Sequence, residues 1–257
     1  VKEMEDQLKQ TFHLKEVFVS PNLVDDEEIN LRDTCRALAG NLDKYIIDNT
    51  VVAVSWGNTL NCLAGQIQPL KAKDIKVVQL NGGVAKSASS TGASQIVDAL
   101  TMAGHGIGYM FPVPAIVDSK HTSEILQEET QVKNVLRLAK EAEVSIFSIG
   151  ALSKDSILYE VEYLKDEDFQ ALEKNKAVGD IASRYFDING NIALKELDDR
   201  VVGFGLEELR EKEWTIAIAV GVNKVDAIIG ALRAGFMNVL YTDEKTAREI
   251  LNRNLLG

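Results

Sequence analysis

The sequence is poor in cysteine, histidine, positive charge and long apolar runs. Two cysteines, Cys35 and Cys62, occur in 257 residues, so no disulfide framework can hold a chain of this size, and a reducing compartment is the expected setting. No Cys/His cluster has metal-ligand spacing, which argues against a structural zinc site or any other metal. The three histidines are scattered. His13 lies in the N-terminal segment and His105 sits between two glycines. His121 follows Asp118 closely, either as an acid/base pair or as a solvated helix start. No stretch approaches the roughly 20 apolar residues needed to cross a bilayer, and no signal peptide opens the chain. The expected location is cytoplasmic, with no membrane partner. Lys and Arg number 28 against 39 Asp and Glu, a net charge of −11, so the bulk surface is a poor landing site for a phosphate backbone. There is no nucleophile elbow, Walker loop or dinucleotide fingerprint, so no cofactor is implied. Internal repeats and low-complexity tracts are also missing.

What is present is an ordinary balance for a folded protein, 46% apolar and 26% charged residues, in a chain long enough to bury a substantial core. Short β-branched runs recur at residues 16–20, 51–56, 75–80, 107–111, 144–149, 214–219 and 238–241. Between most of them the apolar residues take helical spacing. Ala93, Ile96, Val97, Leu100 and Ala103 fall on one face, as do Val225, Ile228, Ile229 and Leu232. Strands that are apolar nearly throughout, separated by helices, require a parallel sheet covered on both faces. The expected fold is therefore α/β, a doubly wound, mainly parallel, Rossmann-like sheet. Residues 153–206 break the rhythm: the segment is charged and turn-rich, and it reads as a small inserted subdomain over one edge of the sheet, with Asn189-Gly190 as a tight turn. Val1, Met4, Leu8 and Phe12 mark a short amphipathic N-terminal helix. A chain that opens in mid-helix on valine is expected to be a fragment of a longer one.

Several strand ends could carry chemistry. Residues 51–54 form a buried strand that runs into Ser55-Trp56-Gly57-Asn58-Thr59, where a helix begins with Asn58 or Thr59 placed to cap it. Free N–H groups and the positive helix end converge there, and Gly57 permits close backbone approach. The loop is either a phosphate cradle or a plain capped turn. The next strand ends in Asn81-Gly82-Gly83 and a hydroxyl-rich loop over residues 84–92. Two glycines allow φ > 0, and the hydroxyls suit a polyol; a solvated connection is the alternative. Asp180, between apolar neighbours, is either a surface carboxylate or an acceptor for a ligand's hydroxyls. Lys224 follows another buried strand, either as a solvated first-turn lysine or as a neutraliser of phosphate.

Together with Phe111-Pro112-Val113-Pro114, Val117-Asp118-Ser119, Ser148-Ile149-Gly150, Phe186-Asp187-Ile188-Asn189-Gly190, Lys224-Val225, Ala231-Leu232-Arg233 and residues 241–247, these stretches resemble the effector-binding domain of SorC-family bacterial transcriptional regulators. That group includes the deoxyribonucleoside and central glycolytic gene regulators. The resemblance spans nearly all of residues 1–257 in order. It implies a fold akin to sugar-phosphate isomerases and deaminases, and a phosphorylated sugar as effector. It also implies a dimeric or tetrameric assembly whose N-terminal helix-turn-helix domain, absent here, reads operator DNA. Carried over by position, Ser55, Gly57, Asn58 and Thr59 cradle the phosphate with Lys224. Asn81, Gly82 and Gly83 lie beside the sugar, and Asp180 takes its hydroxyls. The stretch from Gly179 to Asn191 is nearest the deoxyribonucleoside branch, where the residue matching Asn81 can be a lysine that condenses with an aldehyde. An asparagine has no nucleophilic amine, so binding is expected to be non-covalent unless Lys86 substitutes. The expected role is a sensor and not an enzyme, a regulator of carbohydrate metabolism. The alternative is an active sugar-phosphate isomerase or deaminase of the same fold, using Asp118, His121 or Asp180 as base.

Overall fold

The computed structural model describes residues 1–84, 93–160 and 162–256. Lys86 and the hydroxyl-rich residues 85–92 lie outside these. Seven strands form one parallel sheet: β1 (Glu16–Ser20), β2 (Val51–Val54), β3 (Lys76–Gln79), β4 (Ile107–Tyr109), β5 (Val144–Ser148), β9 (Trp214–Ile218) and β10 (Val239–Asp243). Their order is β1-β10-β9-β5-β2-β3-β4. In register, Ala53 lies between Val78 and Ser145, and Ile146 pairs with Ile216. Each β-branched run expected from the sequence is one of these strands, apart from a residue or two at the ends.

Period-two alternation sends successive side chains to opposite faces, and each face has its own helices. Val52, Val54, Val77, Ile146 and Ile218 pack under α2 (Glu27–Tyr45), α3 (Asn58–Ala64) and α4 (Ala93–Ala103). Ala53, Val78, Phe147, Ala217 and Leu240 pack under α1 (Lys2–Phe12), α6 (Thr130–Glu141), α10 (Val225–Ala234) and α11 (Glu244–Leu256). Strands apolar on both faces thus follow directly from a sheet covered on both sides. The short α5 (Lys120–Glu128) leads into α6, and Ser119 caps it by accepting the Thr122 amide at 3.1 Å.

The inserted segment forms a second, antiparallel sheet of β6 (Gly150–Ala151), β7 (Ala177–Ile181) and β8 (Arg184–Asp187), with short helices α7 (Ile157–Glu160), α8 (Asp166–Lys174) and α9 (Lys195–Asp198). It does not hang over one edge, as its composition suggested. It begins directly after β5, at Gly150, and lies across the carboxyl ends of the central strands, bridging Asn81 through Gly203 and packing on α10. Glycine makes that seat possible. A Cβ at Gly179 would fall 2.0 Å from the Gly150 carbonyl oxygen and 2.5 Å from the Ala227 Cβ. The Asn189-Gly190 turn forms as expected: Gly190 has φ +78°, and Asp187 Oδ1 accepts the amides of Asn189 and Asn191 at 2.9 and 3.0 Å. The insertion keeps an apolar cluster of its own, which includes Leu158, Phe169, Leu172 and Tyr185 and also takes in Trp56 from the loop after β2.

Candidate functional site

The chain runs from β2 outward through β3 to β4, then returns to place β5 on the other side of β2. The connections therefore diverge between β2 and β5, and in open α/β sheets the crevice at such a reversal is where ligands bind. A cavity of about 300 Å³ opens there, within the size range of small-molecule sites. Ser55 joins its two walls. Its amide donates to the Ile146 carbonyl at 3.2 Å, and its hydroxyl accepts the Ser148 amide at 3.4 Å.

Along the first wall, Gly57 has φ +137°, a left-handed conformation natural only to glycine, with open space where a Cβ would project. This geometry changes how the helix starts. Gly57 itself is the N-cap of α3, no side-chain cap bonds its amides among the described residues, and Asn58 is already the first helical residue. Neither Asn58 nor Thr59 caps the helix as the sequence suggested, because the unusual Gly57 backbone brings the chain into the helix one residue early. Gly57, Asn58 and Thr59 all line the cavity. The first amides of α3 are thus left without the side-chain oxygen that usually satisfies them.

Lys224 comes from the loop after β9, where a single 3₁₀ turn, Val222–Lys224, precedes α10. Desolvation pushes its ammonium below the usual lysine range, while the charges of Glu27 and Asp180 pull it back. Asp180 stands on β7, opposite Gly150 in the antiparallel pair. Burial raises its carboxyl to about 6, against the opposing influence of the Ser183 amide, which it accepts at 3.1 Å, and of the Lys224 charge. Asn81, only 3% exposed, donates from Nδ2 to the Ser183 hydroxyl at 3.3 Å, and its Oδ1 is a buried acceptor without a partner among the described residues. Among the described residues, the cavity therefore holds a helix start without a side-chain cap and a lysine, together with a desolvated carboxyl and an unpartnered amide oxygen.

The cavity brings together Ser55, Gly57, Asn58, Thr59, Asn81, Asp180 and Lys224. Gly82 and Gly83 are not among the lining residues. Neither takes a positive φ, contrary to the freedom expected of them. Gly82 is small for another reason, since a Cβ there would meet the carbonyl oxygens of Val113 and Pro114 at 2.5 Å. Its own carbonyl accepts the Trp56 indole N–H at 2.8 Å, which ties the loop after β2 to the loop after β3. Gly83 bonds in both directions with the Val113–Ala115 backbone, at 2.9 and 2.8 Å. Asp118 and His121 are not among the lining residues.

Sequence reasoning assigned no role to Ser148, Ser153, Ser156, Ser183 or Tyr185, all of which line the cavity. Ser148-Ile149-Gly150 had a signal, since it repeats the small-polar-then-glycine pattern of Ser55-Trp56-Gly57 at the neighbouring strand end. Ser183 and Tyr185 had none. They arrive through the β7–β8 hairpin, whose two turn residues, Ala182 and Ser183, have φ of +50° and +70°, conformations usually reserved for glycine or asparagine. Tyr185, 4% exposed, is held well above the usual phenol range by burial and by the Asp180 charge. Among the described residues, no group of three or more His, Cys, Asp or Glu could hold a metal ion, and no helix is long and apolar enough to cross a membrane.

The sugar-binding domain family matches residues 1–252. The deoxyribonucleoside regulator of Bacillus subtilis (strain 168) is 33% identical over 220 residues, which is 86% of this chain and 70% of that one. The chain belongs to the sugar-binding domain family of DeoR/SorC-type transcriptional regulators. Among solved structures, a DeoR family transcriptional regulator from Listeria monocytogenes superposes with a TM-score of 0.89 at 27% identity, covering 97% of this chain and 98% of that one. The full-length sorbitol operon regulator SorC from Klebsiella pneumoniae shares the fold, with a TM-score of 0.89 at 24% identity, over 97% of this chain and 80% of that one. A sugar-binding domain of this family has a mostly parallel sheet flanked by helices with a small antiparallel insertion, as found here.

Proposed function

We propose that this sugar-binding domain is the sensor of a cytoplasmic, oligomeric regulator of carbohydrate metabolism, and that its effector is a phosphorylated sugar bound without a covalent bond. The observation that carries the reading is the pairing, in one switch-point cavity, of the uncapped start of α3 with the lysine of the β9 loop. Amides without a side-chain cap and a desolvated cation are what a phosphate group would satisfy. Ser55, Gly57, Asn58, Thr59 and Lys224 would hold the phosphate. Asn81 Oδ1 and the Asp180 carboxyl would accept hydroxyls from the sugar, with Gly82 and Gly83 holding Asn81 in place through their backbone bonds. Operator DNA would be read by a separate domain. In support, the Bacillus relative extends well beyond the stretch it shares with this chain.

Sensing requires only that the effector prefer one quaternary arrangement, with a coupling of about 1–3 kcal/mol. A second reading, turnover of the sugar phosphate, draws on one specific feature, the carboxyl of Asp180 poised near 6 beside a lysine. Incubation with fructose 6-phosphate, glucosamine 6-phosphate and ribose 5-phosphate separates the two. The sensor reading expects binding without product, and turnover abolished by Asp180→Asn would replace it with an enzyme. A thermal-shift panel of sugar phosphates beside their parent sugars tests the phosphate itself; equal responses within every pair would remove it from the account.

A further inference from the structure

A second, smaller cavity opens at the same edge of the sheet, where the carboxyl ends of β1, β10 and β9 lie side by side. It measures about 40 Å³, room for an ion with a water or two. Three segments close around it: the start of α2 with Glu27 and Asn30, the loop after β9 with Gly221, and the β10–α11 junction with Asp243 and Thr246. Helix starts ordinarily favour anions, but here the amides are already taken. Asp26 accepts those of Glu28 and Ile29 at 3.0 and 3.1 Å, and Asp243 Oδ1 accepts that of Thr246 at 3.1 Å. Asn22 Oδ1 accepts the Lys245 amide at 2.6 Å, and the Thr246 hydroxyl accepts that of Gly221 at 2.9 Å. Oxygen is what remains. Asn30 is 5% exposed, and its Oδ1 is a buried acceptor with no partner among the described residues. Its Nδ2 donates to the Val24 carbonyl at 3.3 Å, outside the lining, and that bond turns Oδ1 toward the cavity. Asp243 is 3% exposed, and both of its bonds, from the Asn22 side chain at 2.7 Å and the Thr246 N–H, come from neutral groups. A carboxylate buried without positive charge beside it is costly. Glu27 brings a second one, with Oε1 3.2 Å from where a Cβ on Gly221 would stand. The ammonium of Lys245, at the rim, pairs with Asp25 at 3.2 Å.

We propose that this cavity binds a hard divalent cation, magnesium or calcium, through Asn30 Oδ1 and the carboxylates of Asp243 and Glu27. An all-oxygen donor set selects hard cations, and so few protein oxygens leave the ion with several waters, as magnesium prefers. With one amide and two carboxylates the set falls short of a three-acid cluster, and it has no Cys or His whose spacing would mark it in the sequence. A bound ion would join the start of α2 to the loop after β9 and steady the turn that carries Lys224. It would also offset the Glu27 charge that acts on that lysine. The site stands on the closure of α2, the β9 loop and α11 around one point, and does not depend on what fills the effector cavity.

The test adds magnesium chloride or calcium chloride alone to the chain after chelator treatment, with about 0.1 M potassium chloride present to screen diffuse attraction to the acidic surface. Calorimetry and thermal unfolding are expected to show saturable binding and a raised transition with at least one of the two ions. Asp243→Asn keeps a residue that caps α11 equally well but removes the charge, and should weaken the ion's dissociation constant by about tenfold or more. Asn30→Asp replaces the amide oxygen with a charged one and should tighten it by a similar factor. Thermal transitions in chelator check that both variants fold. Manganese(II), which takes the same oxygen donors, locates the site in the wild-type chain: its paramagnetic broadening should reach the amide signals of Asn30, Gly221 and Thr246 before those of the exposed acids Glu211 and Glu213. The proposal is overturned if neither ion acts up to about 10 mM, past the millimolar range of weak protein sites, which would leave the Asn30 oxygen to a water. It is also overturned if both variants bind as wild type does, or if the broadening centres away from this cavity.

Discussion

At the scale of single residues, the site depends on groups kept in unfavourable circumstances. Lys224 is partly stripped of water yet stays close to two carboxylates. If it holds an anion, Lys224→Ala should weaken sugar-phosphate binding by about 1.5–3 kcal/mol, the range for a hydrogen bond to a charged group, with little effect on the parent sugar. Paired titrations of the two ligands would measure this. Asp180 gives a pH signature. Its carboxyl titrates at about 6 in the folded chain, against about 3.9 for an unfolded aspartate. The folded value is the higher one, so the unfolded state loses its proton first. The stability this group allows is fully present below about pH 4 and is lost as pH rises through 6, on the order of 3 kcal/mol in all. Asp180→Asn should flatten that slope in denaturation curves recorded between pH 4 and 7, raise stability at pH 8, and weaken effector binding. Gain of stability with loss of binding is the expected mark of a residue retained for its ligand.

At the scale of elements, two contacts fix the cavity. The first is the close approach of β7 to Gly150 and α10. Gly179→Ala would drive a methyl group into the Gly150 carbonyl. It should cost about 3 kcal/mol or more, as overpacking at a backbone contact does, and should loosen the insertion before the main sheet, a difference that hydrogen exchange on β7 and β2 would resolve. The second is the Trp56 indole on the Gly82 carbonyl. Trp56→Phe keeps the ring in its apolar cluster while leaving that carbonyl unpaired, and should cost about 1–3 kcal/mol in chemical denaturation. This scale also shows where the sequence stops being informative. The seven parallel strands were legible because residues such as Val52, Val77 and Ile146 are β-branched and buried whatever the tertiary detail. The special backbone at Gly57 was legible because a glycine between a buried strand and a helix permits a positive φ that other residues avoid. The cap was not legible, since Asn58 is a favoured capping residue and only the backbone turn at Gly57 denies it that role. Ser183 and Tyr185 were hidden because an Ala-Ser pair is an unlikely hairpin turn and the hairpin alone carries them to the cavity. The seat of the insertion was hidden because Gly179 reads as flexibility until Ala227 and Gly150 are seen against it.

At the scale of the whole molecule, the sheet's reversal between β2 and β5 places the cavity at its centre, under an insertion with its own apolar cluster. A ligand filling it would meet the main sheet at Ser55 and Lys224 and the insertion at Asp180, so it should hold the two together. Effector at about a hundred times its dissociation constant would add close to 2.7 kcal/mol to stability, which for a chain of this size corresponds to a rise in melting temperature of about 5–10 °C. The central claim is that a phosphate group is held between the start of α3 and Lys224. Isothermal titration calorimetry of the wild-type domain with matched sugar phosphates and parent sugars, repeated on Lys224→Ala, tests it most directly. The account predicts that at least one phosphate binds far more tightly than its parent sugar and that most of this advantage disappears in the variant. A phosphate advantage that persists undiminished without Lys224, or no advantage in any pair, would contradict it.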